Sequence, residues 1–256
     1  MKTQLVLSLF PGIDLLGRAF EETGFCVVRG PDVIFGGDIR GWHVPGGRFD
    51  GVIGGPPCQC FSSLANIVRH NGGEPKFGNL IPEFERIVAE AAPRWFLMEE
   101  VPRAPLPAVP AYAAWSCLLN NRQLGEAQNR VRRWTFGVPG PRRKVLMIET
   151  VALENPNFEY AAVGGHGGSL ARADKRRIGR PGSVREFRHN SSCLGHNTKS
   201  GWAFRELKRQ QGLPEEFALP GWTVAGKCQA VGNAVPMAMG RALAKAVREA
   251  TEETEG

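Results

Sequence analysis

The stretch Leu5-Val6-Leu7-Ser8-Leu9-Phe10-Pro11-Gly12-Ile13-Asp14-Leu15-Leu16 decides the class of fold. Its first six residues are a short apolar run of strand character, and Pro11-Gly12 breaks the run. Asp14 stands where a helix cap belongs. Leu15, Leu16, Ala19 and Phe20 then supply one apolar face, and Gly24 stops the helix. Strand, tight turn and helix in that order form the first unit of an α/β sheet.

Outward from this unit the alternation repeats. Residues 25–28, 33–36 and 51–53 read as strands two, three and four, each followed closely by Gly, Pro or Asp. A helix over 82–92 leads to a fifth strand at 95–98, and a second helix is expected over 108–119. Residues 132–136 and 145–150 read as a closing antiparallel pair. The expected fold is α/β, a mixed and mostly parallel sheet with helices on both faces.

After Thr150 the periodicity fades through Asn155-Pro156 and Gly164-Gly165, and it returns only near Ala203. Three segments follow from this: 1–150 as the main domain, 151–202 as a small irregular lobe, and 203–256 as a return to the main domain ending in a helix over 237–250. The chain has 256 residues, 42% of them hydrophobic, enough for one substantial core and against a disordered or fibrous chain. No apolar run approaches the roughly 20 residues of a membrane span, and the opening segment lacks a cleavable leader pattern. Six scattered cysteines in a chain of this size read as reduced thiols. A monomer in the cytoplasm is the expectation.

The formal charge is +7, and its distribution is informative. Between Gly165 and Trp202 stand Arg172, Lys175, Arg176, Arg177, Arg180, Arg185, Arg188 and Lys199, against only Asp174 and Glu186. Nearly all the excess charge lies in this Gly-rich, apolar-poor stretch. A solvated basic loop is one reading; a polyanion-binding surface is the other.

In open parallel sheets ligands sit beyond the carboxyl ends of the strands. Phe10-Pro11-Gly12 follows the first strand. Asp32 lies 20 residues after Gly12, the spacing at which an acid meets ribose hydroxyls. Asp38 follows the third strand, suited to an adenine amino group. Each is an ordinary α/β feature alone; together they suggest an adenosine-containing ligand. After the fourth strand comes Gly54-Gly55-Pro56-Pro57-Cys58-Gln59-Cys60, which fixes the backbone and leaves a thiol at the mouth of the sheet, an unusual post for a residue that more often fills a core. A thiol of reference pKa about 8.5 needs a cation or helix dipole to ionise at neutral pH, and Arg130 and Arg132 are candidates for the cation. The fifth strand ends in Glu99-Glu100-Val101, whose alternation lets one carboxylate face the pocket.

Four motifs in order, Pro57-Cys58-Gln59, Glu99-x-Val101, Gln128-Asn129-Arg130-Val131-Arg132 and Gly232-Asn233-Ala234-Val235-Pro236, resemble the C5-cytosine DNA methyltransferases, in particular the compact phage and restriction-modification forms. The resemblance implies a Rossmann-like S-adenosylmethionine-dependent methyltransferase fold with a small target-recognition lobe. It implies that Cys58 attacks carbon 6 of a flipped cytosine while Glu99 holds or protonates N3, that Arg130 supports the base and Arg132 is the second arginine of its motif, and that carbon 5 takes the methyl group. Phe10, Gly12, Asp14, Asp32, Asp38, Ile39, Pro57, Leu80, Asn233 and Val235 correspond to contacts with S-adenosylmethionine, whose product is S-adenosylhomocysteine. Ser62, in the active-site loop over 59–77, and Arg172, Lys175, Arg176, Arg177, Arg180, Arg185 and Arg188 correspond to contacts with double-stranded DNA. The implied setting is a bacterial or phage-infected host cytoplasm.

Two departures from the family pattern stand out. Asp14 occupies the place of a second glycine in the first motif, and Glu100 replaces the asparagine of Glu-Asn-Val. An extra negative charge beside the catalytic pair would disfavour a thiolate if it pointed inward. Two other readings compete: an RNA cytosine-5 methyltransferase, and a catalytically weakened DNA-binding homologue. A zinc module from His189, Cys193 and His196 has suitable ligand types, but its spacing fits no standard pattern, so no metal is expected.

Overall fold

A computed structural model describes residues 3–61, 78–151, 159–160 and 201–252. The chain divides into two compact units. One comprises Met1–Asn120, Val131–Glu149 and Gly240–Gly256; the other comprises Asn121–Arg130 and Thr150–Met239.

The first unit is built on a six-stranded sheet of β1 (Leu5–Leu9), β2 (Cys26–Arg29), β3 (Gly51–Gly54), β4 (Trp95–Glu100), β5 (Tyr112–Asn120) and β7 (Val131–Pro139), in the spatial order β2-β1-β3-β4-β7-β5. The first four strands in space are parallel, and β7 runs antiparallel to both β4 and β5. Val52 and Ile53 of β3 point to opposite faces and both are fully buried, as a central parallel strand covered on both sides requires. On one face helix α2 (Ile81–Ala91) packs Phe84, Ile87 and Val88 against Leu7, Leu9, Val52, Phe96 and Met98. On the other, Phe20 of helix α1 (Leu15–Glu22) joins Phe25, Trp95 and Phe136 in an aromatic cluster. The guanidinium of Arg248, on helix α5 (Met237–Glu252), lies 4.4 Å from the centre of the Phe25 ring. The expected mostly parallel α/β sheet with helices on both faces is what the chain forms.

Three expected elements differ. Residues 33–36 form no strand: Val33–Phe35 is a 3-10 turn, because the Asp32 carboxylate caps it by accepting from the amide of Ile34 and Gly36 ends it at φ 81°. The sheet therefore stops at β2. Residues 108–119 are not a helix. The prolines at 102, 105, 107 and 110 lack the amide donors a helix needs, and Tyr112–Asn120 then pairs with β7 along its whole length. β5, not residues 145–150, is accordingly the antiparallel neighbour of 132–136, and residues 143–150 carry no regular structure.

The second unit holds β6 (Gln128–Asn129), paired in parallel with β8 (Glu159–Tyr160), and helices α3 (Gly201–Gln210) and α4 (Val224–Asn233). Its buried residues include Leu207, Leu213, Cys228, Val231 and Val235. Lys208 is buried too; its Nζ donates to the carbonyls of Glu215 and Phe217 and so closes the loop behind α3. Ser62 and all of Arg172 to Arg188 lie outside the described residues, so most of the expected recognition region does as well. Among the described residues, no helix is long and apolar enough to cross a membrane, and no group of His, Cys, Asp and Glu is placed to hold a metal ion.

Candidate active site

Each of the four parallel strands of the first unit ends in, or leads into, a segment that carries predicted site residues. The turn after β1 is made by positive φ at Phe10 (53°), Gly12 (55°) and Asp14 (51°). Only glycine takes this conformation freely, but aspartate tolerates it better than most residues. That is how the turn closes without the second glycine. Asp14 also caps α1: its carboxylate accepts from the amide of Gly17 (3.0 Å) and the hydroxyl of Ser8 (2.8 Å), and Arg29 lies 2.8 Å away. Burial holds the carboxyl of Asp14 above its ordinary range despite these partners. Its side chain is turned into the protein.

Asp32 links the segments that follow β1 and β2. One carboxylate oxygen accepts from the amide of Gly12 (2.8 Å) and the other from that of Ile34 (2.8 Å). The next residues, Ile34 and Phe35, are exposed apolar side chains, Phe35 to 70%. The expectation of a third strand hid them; the Gly36-Gly37 pair and the capping Asp32 are the signals of a turn that would have revealed them. Asp38 is exposed, caps the 3-10 turn Ile39–Gly41, and is held below the usual carboxylate range by Arg40. Ile39 is buried in the core over α2.

β3 continues through Gly54, Gly55, Pro56 and Pro57 into a 3-10 turn, Cys58–Cys60, closed by the amide of Phe61 donating to the carbonyl of Cys58 (3.0 Å). Cys58 is half-buried. Leu80 precedes α2, and the side chain of Asn79 accepts from the amide of Ile81 at 3.0 Å.

β4 lies beside β3 and ends in the two glutamates. They separate as alternation requires. Glu99 stands across from Trp134 and forms an ion pair with Arg132, Nε to Oε1 2.7 Å, with both side chains more than four-fifths buried. Gly55 makes room for it: a Cβ there would lie 2.8 Å from Glu99 Oε2. Glu100 stands across from Arg133 and is 1% exposed. Its Oε2 accepts from the amide of Val101 (2.8 Å), and its Oε1 is buried without a hydrogen-bond partner among the described residues. Arg133 turns away to donate to the carbonyl of Ala104 (2.8 Å). A buried carboxylate with a single neutral donor is costly to ionise. Burial, with the adjacent Glu99 adding to it, pushes the carboxyl of Glu100 up to about 8. At neutral pH Glu100 is therefore mainly the uncharged acid.

The first unit thus carries Cys58, Glu99 and Arg132 and the predicted residues from Phe10 to Leu80. Arg130, Asn233 and Val235 belong to the second unit. There the buried guanidinium of Arg130 donates to the carbonyls of Gly232 (2.9 Å), Asn233 (3.3 Å) and Ala234 (3.1 Å) and holds the end of α4, where Asn233 is exposed and Val235 buried. Two of the four sequence motifs are thereby fastened to each other.

The profile of the C-5 cytosine-specific DNA methylases matches residues 36–106, the segment that carries both Cys58 and Glu99. The chain is 26% identical over 268 residues to the type II methyltransferase M1.HphI of Haemophilus parahaemolyticus, covering 80% of this chain and 70% of that one. The fold is shared with Entamoeba histolytica methyltransferase EhMeth, at TM-score 0.62 and 11% identity over 97% of this chain and 99% of the other. It is also shared with a prophage-encoded E. coli protein described as a DNA modification methyltransferase, at TM-score 0.59 and 16% identity over 98% and 100%. With the cysteine and glutamate motifs on neighbouring strand ends inside the matched segment, and relatives aligned along most of the sequence, the chain is similar to the C5-cytosine-specific DNA methyltransferases.

Proposed function

We propose that this protein transfers a methyl group from S-adenosylmethionine to carbon 5 of a flipped cytosine in a specific duplex DNA site, through a covalent adduct on Cys58. The observation that carries the proposal is the pairing of β3 with β4, which makes the Cys58 turn and the Glu99–Arg132 ion pair follow adjacent strand ends.

The chemistry requires the two groups to act together. Cys58 Sγ forms a bond to carbon 6, and the electron pair of the C5–C6 double bond moves toward carbon 5 as Glu99 holds or donates a proton at N3. Bound S-adenosylmethionine supplies the electrophilic methyl group. Carbon 5 then loses its proton to a base, the C5–C6 double bond re-forms, and the sulfur departs with its electron pair. Arg132 is a positioning residue here: its ion pair fixes the Glu99 carboxylate.

The residues after β1, β2 and β3 fit the implied cofactor. Open space faces Gly12, Gly36 and Gly41, where an added Cβ meets nothing closer than 3.8 Å. Beside it stand the exposed apolar Ile34 and Phe35 and the exposed carboxylate of Asp38, which suit an adenosine with one polar edge. Phe10, Gly12, Asp32, Asp38, Ile39, Pro57 and Leu80 would hold the cofactor, with Asp14 shaping the turn from within. The roles given by family resemblance to Asn233 and Val235 in cofactor contact, to Arg130 beside the base, and to Ser62, Arg172, Lys175, Arg176, Arg177, Arg180, Arg185 and Arg188 on DNA belong to the same proposal.

Bisulfite sequencing of DNA from cells expressing the protein tests activity and site together; uniformly unmethylated DNA refutes the proposal. Cys58→Ala should abolish both methyl transfer and the covalent complex with 5-fluorocytosine DNA. Labelled cofactor offered with a DNA duplex and a tRNA side by side separates the RNA reading, which predicts label in the tRNA alone.

A further inference from the structure

The segment from Asp38 to Gly47 makes little regular structure of its own, yet it is fastened along the length of α2. Arg86, in the middle of that helix, is the principal fastening. Its Nη2 donates to the carbonyls of Ile39 (2.9 Å) and Trp42 (3.0 Å), the first residue and the C-cap of the 3-10 turn that follows Asp38. Its Nε and Nη1 are held at the same time by Glu83 (2.9 Å) and Glu90 (2.7 Å), so the planar fork is aimed before it meets the carbonyls. Glu90 continues the attachment: its Oε1 lies 3.0 Å from His43 Nδ1, and its Oε2 accepts from the amide of Val44. The amide of Gly47 donates to the carbonyl of Ala91 at the end of the helix. Apolar contacts act from beneath, where Ile39 is buried in the core and Trp42 and Val44 pack on it.

We infer that Arg86 is a positioning residue for cofactor binding, holding the Asp38–Ile39 turn in the shape that receives the adenosine end of S-adenosylmethionine. The inference rests on the proposed role of Asp38 and Ile39. Arg86 itself touches no cofactor: its fork is spent on two carbonyls and two carboxylates. Its loss therefore leaves the Cys58, Glu99 and Arg132 geometry in place and loosens the turn alone. A lysine there retains the charge, but one ammonium cannot span both carbonyls and both carboxylates.

The test measures S-adenosylmethionine Kd by calorimetry, together with KM and kcat, in the full chain for Arg86→Lys, Arg86→Gln, Glu83→Gln and Asp38→Ala, with the Tm of each. Both Arg86 variants should raise the cofactor Kd and KM about tenfold with kcat at saturation changed less than twofold. Hydrogen exchange of the amides at 39–44 should rise in the same variants. Glu83→Gln keeps both carbonyl contacts and should leave the Kd within twofold, although it too loses an ion pair with Arg86. Kd and KM unchanged in Arg86→Lys and Arg86→Gln while Asp38→Ala weakens binding overturns the inference and leaves the reading of Asp38 standing. Kd unchanged in Asp38→Ala overturns both. A fall in kcat equal to the rise in KM, or an equal Kd loss in Glu83→Gln, assigns Arg86 a general structural part and also overturns it.

Discussion

Glu100 offers a measurement that depends on one proton. The side chain is 1% exposed, accepts a single backbone hydrogen bond, and has its carboxyl pushed to about 8 from an ordinary 4.5, chiefly by burial. Between those two values the folded chain keeps a proton that the unfolded chain has released. Stability from this group is thus fully present below about pH 4.5 and is lost as pH rises toward 8. The slope is about 1.4 kcal/mol per pH unit, which sums to roughly 5 kcal/mol across the window and about 3 kcal/mol by pH 7. Glu100→Gln, similar in shape and never charged, removes that slope while every other titration remains.

Urea unfolding of the natural chain and of Glu100→Gln, at unit steps from pH 5 to pH 9, isolates the effect as the difference between the two curves. The variant should gain on the natural chain by about 1 kcal/mol per unit until the gain levels off above pH 8. Its carboxamide, which has the same scarcity of partners, should subtract a constant 1–3 kcal/mol or so without changing the slope. Two curves running parallel from pH 5 to pH 8 would show that Glu100 ionises normally in the folded chain despite its burial.

The remaining expectations concern activity and the second unit. Glu100→Asn should preserve or raise turnover at neutral pH, because the acid it replaces is already uncharged; a large loss in a steady-state methylation assay would show that Glu100 has a further role. Arg132→Lys keeps the charge but not the directed Nε contact at 2.7 Å, so kcat should fall about 100-fold with cofactor KM little changed. Gly55→Ala would set a methyl group 2.8 Å from Glu99 Oε2 and should lower kcat about tenfold while Tm moves little, which single-turnover kinetics and calorimetry can separate. Arg130→Met withdraws the donors from three carbonyls at the end of α4 and should cost about 3 kcal/mol in urea unfolding.

How far the sequence could be read follows from the range of the forces involved. The β1 turn was legible because its causes are local: a glycine, an aspartate that caps, and an apolar face within a few residues. Asp14 shows the limit, since its place in the motif suggested a ligand contact and only the fold reveals a carboxylate turned inward to Ser8 and Gly17. The strand over 112–120 was illegible for the opposite reason. Its alanines and leucines suit a helix, and what makes it a strand is a nine-residue pairing with β7, a partner the local pattern does not name. Residues 33–36 failed differently, because a β-branched run outweighed the glycines and the aspartate that turn it aside. At the site, alternation predicted that Glu99 and Glu100 would part, and they do, but it could not assign a charge to either. Charge depends on what surrounds each carboxyl, here Arg132 for one and core for the other, and that is tertiary information. The glutamate in the asparagine's place therefore changes meaning once the fold is known: an apparent added charge beside the nucleophile becomes, at neutral pH, a neutral hydrogen-bonding group, as an asparagine is.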